Sequence, residues 1–342
     1  MKRLFFSFLL ISFTFIPLQS QWKELGLSPI DGSNWSQINN GLTNIDVRSL
    51  TGCNKYIVAG TFGGGVFISS DGGNLWTSAN NGLSIQKILY LTCYKNNLFA
   101  GTTNGVYLSS DFGNYWSLVT TNLTDQYIQT IAACEEFIVA GTKSKGHHLS
   151  TDNGASWNRA TNGMTSPEIR AAGIFGNNIV AGTWGDGIFV SKDKGAKWSQ
   201  ENYGLTSLKI RSIALINNKI IVGTDDAGIF VSDDTCRVWI PLNNGLTNNR
   251  VMSLVCYDTS IFAGTWGGGV FLFSNAQNTW QPINSGLKIN FIYSLAIHSN
   301  IIYAGRKSVK QSCRAAITPY VSERRRAVHR RCGYAPIGSS TR

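Results

Sequence analysis

Seven tryptophans, Trp35, Trp76, Trp116, Trp157, Trp198, Trp239 and Trp280, recur at steps of 41, 40, 41, 41, 41 and 41 residues. A period that regular means one structural unit copied along the chain. Each copy begins with a partly alternating apolar run such as Val47-Arg48-Ser49-Leu50 or Ile210-Arg211-Ser212-Ile213. An Asn-rich turn follows, then a β-branched run ending in Ala-Gly-Thr (Ile57 to Thr61, Ile138 to Thr142, Ile179 to Thr183). A glycine-rich turn leads into Gly-Val-Phe-Ile or Gly-Ile-Phe-Val, and a tight polar turn carries the chain to the tryptophan. Short β-branched runs punctuated by Gly, Asn and Asp predict strands. Four strands in about 40 residues is the size of one propeller blade.

The polar turn is the most specific element. It reads SSDGGNLW at 69–76, SSDFGNYW at 109–116, STDNGASW at 150–157 and SKDKGAKW at 191–198. Two copies decay: SDDTCRVW at 232–239 puts Cys236 where glycine stood, and the stretch before Trp280 lacks the aspartate. The S-x-D-x-G-x-x-W pattern resembles the Asp-box, or BNR repeat, of sialidases, sortilin-type receptors and photosystem II assembly-factor propellers. The likeness runs from about Ser28 to Trp280. The chemistry of the turn stands beside it. An aspartate at a turn start accepts backbone N–H bonds, and glycine supplies a positive φ. The tryptophan places a large apolar face between sheets while its N–H finds a partner. Asp71, Asp111, Asp152, Asp193, Trp76, Trp116, Trp157 and Trp198 are therefore expected to be structural.

Six blades fit within residues 45–284. Phe291 to Gly305 matches the first two strands of another copy, Glu24 to Ser28 the third, and Trp35 onward the fourth. The expectation is an all-β, seven-bladed propeller over residues 21–305, closed by two strands from each terminus, which removes exposed sheet edges.

Lys2-Arg3 and the apolar run from Leu4 to Ile16, with Pro17 and Ser20, read as a signal peptide over residues 1–20. The run is short for a membrane span, so export to the periplasm or cell exterior is expected, with no transmembrane segment after cleavage. The formal charge of +11 resides mostly in residues 306–342, which carry ten Lys/Arg and one acid, Glu323. Without that tail and the two leader cations the body holds 18 basic and 18 acidic residues, so nucleic acid is not an expected partner. The tail leaves the repeat pattern at Arg306 and contains Arg324-Arg325-Arg326 and Arg330-Arg331. It reads either as the product of a frameshift or chimeric gene, or as a polybasic arm for acidic glycans or lipid headgroups.

The seven cysteines include no C-x-x-C. Cys53, Cys93, Cys134 and Cys256 fall near the same place in their copies, and equivalent positions on separate blades are expected to lie too far apart to bridge. They read as small buried hydrophobes. Adjacent His147 and His148 complete no metal constellation, and neither metal nor cofactor is expected.

Two sets of residues are candidates for ligand binding. Arg48, Arg170 and Arg211 share one position on the innermost strand, where other copies place Leu89, Gln129, Met252 and Tyr293. Three guanidiniums around a channel suit a carboxylate or phosphate, although drift of a copied Val-Arg-Ser-Leu would leave the same trace. Phe62, Trp184 and Trp266 sit in glycine-flanked turns between strands two and three, suited to stacking on a sugar or peptide, or to covering the neighbouring blade. The acids outside the boxes, Asp46, Glu168, Asp186, Asp225 and Asp226, recur at no position implying a hydrolytic pair. The chain also lacks the Arg-Ile-Pro segment that a sialidase would carry. These features predict a monomeric, non-enzymatic binding or scaffold module for a glycan, peptide or protein, similar to secreted repeat propellers of Bacteroidetes type. The rival expectations are a sialidase-type hydrolase and a photosystem-factor-like propeller with a membrane-protein partner.

Overall fold

The structure, a computed structural model, describes residues 35–233, 236–288, 290–306 and 320–322. No helix occurs among them. No described helix is therefore long and apolar enough to cross a membrane.

The chain forms a β-propeller. Six blades of four antiparallel strands are complete, each built from consecutive strands. In blade one these are Val47–Cys53, Tyr56–Thr61, Gly65–Ser69 and Thr77–Ser78. Blades two to six begin at Ile88, Ile128, Ile169, Ile210 and Val251. The second strand of each blade is buried along both faces, because neighbouring blades cover it on either side. That explains a continuous apolar run where a one-sided strand would alternate. Its Ala-Gly-Thr ending has two separate causes. A Cβ on Gly60 would come within 2.6 Å of Ile88 Cγ2 of the next blade, so the inter-blade approach requires glycine. Thr61 Oγ1 donates to Gly65 O (2.9 Å) and accepts from Gly64 N (3.1 Å), closing the turn to strand three.

Seven blades were expected; six complete blades are described, and a composite sheet stands where the seventh was expected. That sheet joins Ile292–His298 and Ile301–Arg306 to Trp35–Gln37 through Tyr320–Ser322. The third place is thus taken from the tail, which had shown no blade signature, and Glu24 to Ser28 lies outside the described residues. Tyr-Val-Ser has the aromatic and β-branched composition that a short strand favours. It meets Trp35–Gln37 at three positions but the second strand only at Ala304 opposite Tyr320.

Tryptophans bind each sheet to the one before it. Trp116 Nε1 donates to Ala79 O (2.9 Å), Trp157 to Val119 O (2.8 Å) and Trp198 to Ala160 O (3.0 Å). Trp35 makes the same bond to Ile283 O, which carries the latch across the chain ends. The polar turn before each tryptophan is a relay. Ser69 Oγ donates to Asp71 Oδ1 (2.7 Å) and accepts from Gly73 N (2.8 Å), while Leu75 N donates to Asp71 Oδ1 (3.0 Å). The Ser69 hydroxyl, then the Leu75 N–H, hold the Asp71 carboxyl below its ordinary range. At Asp152 the additional Ser156 hydroxyl takes it down to about 2.

One expectation is overturned. Cys53 and Cys93 form a disulfide between blades one and two, with Cα atoms 5.5 Å apart. Innermost strands converge at the channel, where neighbouring blades come closest. Equivalent positions point the same way around the ring and never face each other, but these two are not equivalent. Cys53 pairs with Tyr56, whereas Cys93 pairs with Leu98 and so corresponds to Gly52. The offset of one residue turns the second side chain to the opposite face. Cys134 and Cys256 instead pack, part-buried, against the apolar clusters around Phe137 and Ile261.

Blade three buries His147 and His148 completely, at the places held by Val66 and Phe67 in blade one. His147 stacks on Trp198, with ring centroids 4.9 Å apart, and neither ring nitrogen has a partner. Burial, then the neighbouring His148, pushes its pKa down to about 3. His148 is pushed down to about 4 by burial, then by Arg159, with Asp125 opposing.

Two outcomes follow for stability. Above the unfolded histidine pKa near 6.5 both rings are neutral in either state and contribute no pH dependence. Below it the unfolded chain takes up protons that the folded chain refuses, so stability falls by about 1 kcal/mol per histidine for each pH unit, down to the folded values. Replacing His147→Val and His148→Phe should flatten the dependence of melting temperature between pH 7 and pH 5. The disulfide closes a separation of 40 residues, for which chain entropy gives about 4 kcal/mol. Urea unfolding of Cys53→Ser should show a loss of that order.

Candidate functional site

Each complete innermost hairpin slips register by one residue at its second position, as between Val47 and Ser49, Ile169 and Ala171, and Ile210 and Ser212. The residue at the slip is a β-bulge, which turns its side chain out of the regular alternation. The bulge residues are Arg48, Leu89, Gln129, Arg170, Arg211 and Met252, and the same slip in the composite sheet carries Tyr293. This single feature aims one side chain per blade into the channel. A cavity of about 800 Å³ opens there, with Arg48, Phe62, Arg170 and Arg211 in its wall.

The arginines and the turn aromatics form one assembly. Trp184 lies between two guanidiniums, with Arg170 Cζ 4.8 Å and Arg211 Cζ 4.3 Å from its ring centroid. Arg48 lies between Phe62 (4.8 Å) and Tyr293 (4.7 Å). Trp266 meets Phe291 edge-on at 5.4 Å and Tyr293 at 6.4 Å. The turn backbones also bridge to the next blade, Phe62 to Lys87, Trp184 to Lys209 and Trp266 to Phe291. The aromatics therefore cover neighbouring blades and support the arginines at once. Stacking over aromatic faces favours guanidinium over ammonium.

Every bulge arginine carries its own carboxylate. Arg48 Nε and Nη2 donate to Asp46 at 2.7 and 3.1 Å. Burial lowers the Arg48 pKa, but the Asp46 and Tyr293 contacts outweigh it and leave a net rise. Arg170 meets Glu168 at 2.6 Å, and Gln129 Nε2 of the preceding blade donates to the same oxygen at 3.0 Å. Arg211 meets Asp225 at 2.8 Å, and Arg250 approaches that carboxylate at 3.3 Å. These pairs occupy Nε and Nη2 and leave Nη1 of Arg170 and Arg211 without a partner among the described residues. Arg48 stands across the ring from blades four and five, so its guanidinium faces theirs over the cavity. Leu89 and Gln129 line the arc on one side between them, and Met252 and Tyr293 the arc on the other.

The three arginines lie on innermost strands and the three aromatics in or beside the strand two to three turns; sequence reasoning treated them as two sites and assigned the arginines no carboxylate partners. Asp46-x-Arg48 and Glu168-x-Arg170 repeat one spacing, a signal that was present. Asp225 lies 14 residues from Arg211 and is brought in only by the hairpin. No group of three or more His, Cys, Asp or Glu side chains arranged for a metal ion occurs among the described residues.

In sequence, no family model and no curated protein matches the chain. Solved propellers match it in fold. YCF48 bound to D1 peptide is 14% identical, with a TM-score of 0.67 over 86% of this chain and 96% of that one. The extracellular domain of a hybrid two-component system protein from B. thetaiotaomicron is 13% identical, with a TM-score of 0.68 over 84% of this chain. An ancestral GH74 enzyme is 15% identical, with a TM-score of 0.64 over 80% of this chain. This chain spans 42% and 45% of the latter two.

The two acids of the blade-five turn should behave differently. Asp225 has a side chain only 9% exposed between two arginines, whereas Asp226 is half-exposed beside Lys209. Asp225→Asn should cost roughly 2 kcal/mol because it takes from the part-buried Arg211 its only carboxylate among the described residues. Asp226→Asn should cost less than about 1 kcal/mol. Urea unfolding of the two variants checks the order.

Proposed function

We propose that the chain is an exported, non-enzymatic propeller that binds a glycan, peptide or protein partner at the channel mouth beside the strand two to three turns. The observation that carries this reading is the set of bulge arginines, each stacked on an aromatic and held by a carboxylate, around a cavity of about 800 Å³. Such groups are fixed before a ligand arrives, which lowers the ordering cost of binding. The mouth mixes cations, carboxylates and apolar side chains, which suits a partner presenting both acidic and hydrogen-bonding groups. Its acids are engaged with arginine, an arrangement that favours recognition over general acid catalysis. The reading takes residues 1–20 as a signal peptide, and the Cys53–Cys93 disulfide supports an oxidising destination. It also takes the polar turns as Asp-boxes with structural aspartates, and the ring as seven-bladed and closed by both termini.

The likeness to YCF48 bound to D1 peptide favours the form of the reading in which the partner is a peptide.

Glycan and peptide arrays probed with the full chain test the proposal. The wild type should bind a defined class, and the combined Arg48→Ala, Arg170→Ala and Arg211→Ala variant should lose roughly tenfold or more in affinity. Circular dichroism establishes that the variant is folded. Turnover of a fluorogenic sialoside, abolished by Arg170→Ala, would sink the non-enzymatic reading.

A further inference from the structure

The polar-turn face, opposite the channel mouth, carries a second cavity of about 340 Å³ between blades one and two. Its wall includes Tyr56, Asp71, Leu75, Ser78, Phe112 and Asn114. The volume lies within the range of small-ligand sites. Tyr56 and Phe112 form its aromatic side, with ring centroids 5.5 Å apart and planes tilted by 40°.

Phe112 breaks the repeat, whereas an aromatic at the place of Tyr56 recurs once, as Phe137 in blade three. At the place of Phe112 the other intact turns hold Gly72, Asn153 and Lys194, all at positive φ. Phe112 keeps φ 57, a conformation that costs a side chain with a Cβ about 1–2 kcal/mol. Lys194 bears the same strain with an exposed side chain, whereas the Phe112 ring is part-buried in the groove wall, which points to a use for the ring. The register partner of Tyr56 is Cys53, and the Cys53–Cys93 disulfide fastens the two blades that form the groove. Cys53, Cys93, Tyr56 and Phe112 belong to one packed cluster. The width of the groove is thereby fixed covalently.

The polar groups on the wall are mainly acceptors and hydroxyls. Asp71 commits Oδ1 to Ser69 and to Leu75 N, leaving Oδ2 without a partner among the described residues. Asn114 commits Nδ2 to Asp111 O, leaving its Oδ1 in the same position. Among the described residues, no arginine or lysine stands in the wall. Lys55 lies over Tyr56, its Nζ 5.3 Å from the ring centroid, outside the lining. An acceptor-rich wall with one carboxylate repels anions and selects a ligand that donates many hydrogen bonds. A flanking aromatic pair selects a ligand that also presents an apolar face. A pyranose does both.

We propose that this groove is a binding site for a neutral sugar, separate from the channel mouth and held in shape by the Cys53–Cys93 disulfide. Saturation-transfer NMR on the full chain, with lactose, maltose, cellobiose and methyl mannoside as probes and N-acetylneuraminic acid as the charged comparison, tests it. At least one neutral probe should receive transfer, and the acid should not. Phe112→Asn installs the residue that the third turn carries at Asn153. It should preserve or raise the melting temperature while weakening sugar binding roughly tenfold or more. Tyr56→Asn, copied from Asn97, should weaken binding similarly, whereas Tyr203→Asn on the rim of blade four should leave it unchanged. Transfer to none of the neutral probes would overturn the proposal, as would binding that survives Phe112→Asn in a folded protein or a preference for the acid.

Discussion

The fold depends on a tryptophan that belongs to one sheet and is bonded to the sheet before it. Propeller blades share no continuous backbone ladder, only isolated backbone bonds at the turns, so side chains must supply most of the binding between them. A buried indole offers a large apolar face to the gap and one N–H to the preceding chain, and truncating such a residue costs about 3–5 kcal/mol. The backbone N–H of Trp76 adds a bond to Asn40 O, and that of Trp116 to Asn81 O. The glycine after each asparagine serves the same contact. A Cβ on Gly41 or Gly82 would lie 2.1–2.2 Å from the tryptophan carbonyl oxygen. The near-constant spacing of the tryptophans is thus the spacing of the latches, and Trp35, bonded to Ile283, extends them over the chain ends.

With stability placed in the gaps between blades, the channel is released from most packing demands. The register slip gives every blade one residue that contributes little to the sheet and points at the axis. These positions vary from Arg to Leu, Gln, Met and Tyr while their neighbours hardly change. An arginine there would be a poorly solvated cation without help. The structure supplies a carboxylate on the guanidinium edge and an aromatic ring on its face. The same pairing limits the cation as an anion trap, because each guanidinium arrives already neutralised.

How much of this is legible in the sequence depends on the range of each interaction. The strands, the turn glycines and the latching tryptophans recur in one-dimensional order, so periodicity reveals them. The serine relay to Asp71 was within reach too, since Ser69 recurs as Ser109, Ser150 and Ser191. The disulfide was hidden because it needs two facts absent from a string of letters. Innermost strands of adjacent blades approach closely, and only positions one residue out of step face each other. Asp225 was hidden likewise, because its partner Arg211 lies on the other strand of a hairpin. The sequence pointed to Phe291 to Gly305 and Trp35 onward as parts of one blade, with Glu24 to Ser28 as its third strand; in the composite sheet three tail residues take that place.

Repetition supplies an internal standard against which departures can be weighed. A change at a solvent-facing turn residue costs little and carries little meaning. A change that opposes the local backbone preference carries more, because the favourable residue is present in the neighbouring copies. Phe112 is such a case, since Gly72 and Asn153 occupy the same turn without an aromatic side chain forced to positive φ. His147 is another, an imidazole with two unpartnered nitrogens where Val66 would fill the space without polar cost. The two differ in what surrounds them. Phe112 borders an open groove beside a disulfide, and its ring is available to a ligand. His147 is sealed against Trp198, so its consequence is confined to the protein's own response to acid. The surroundings of a departure, more than the departure itself, therefore separate a binding site from a liability of the fold.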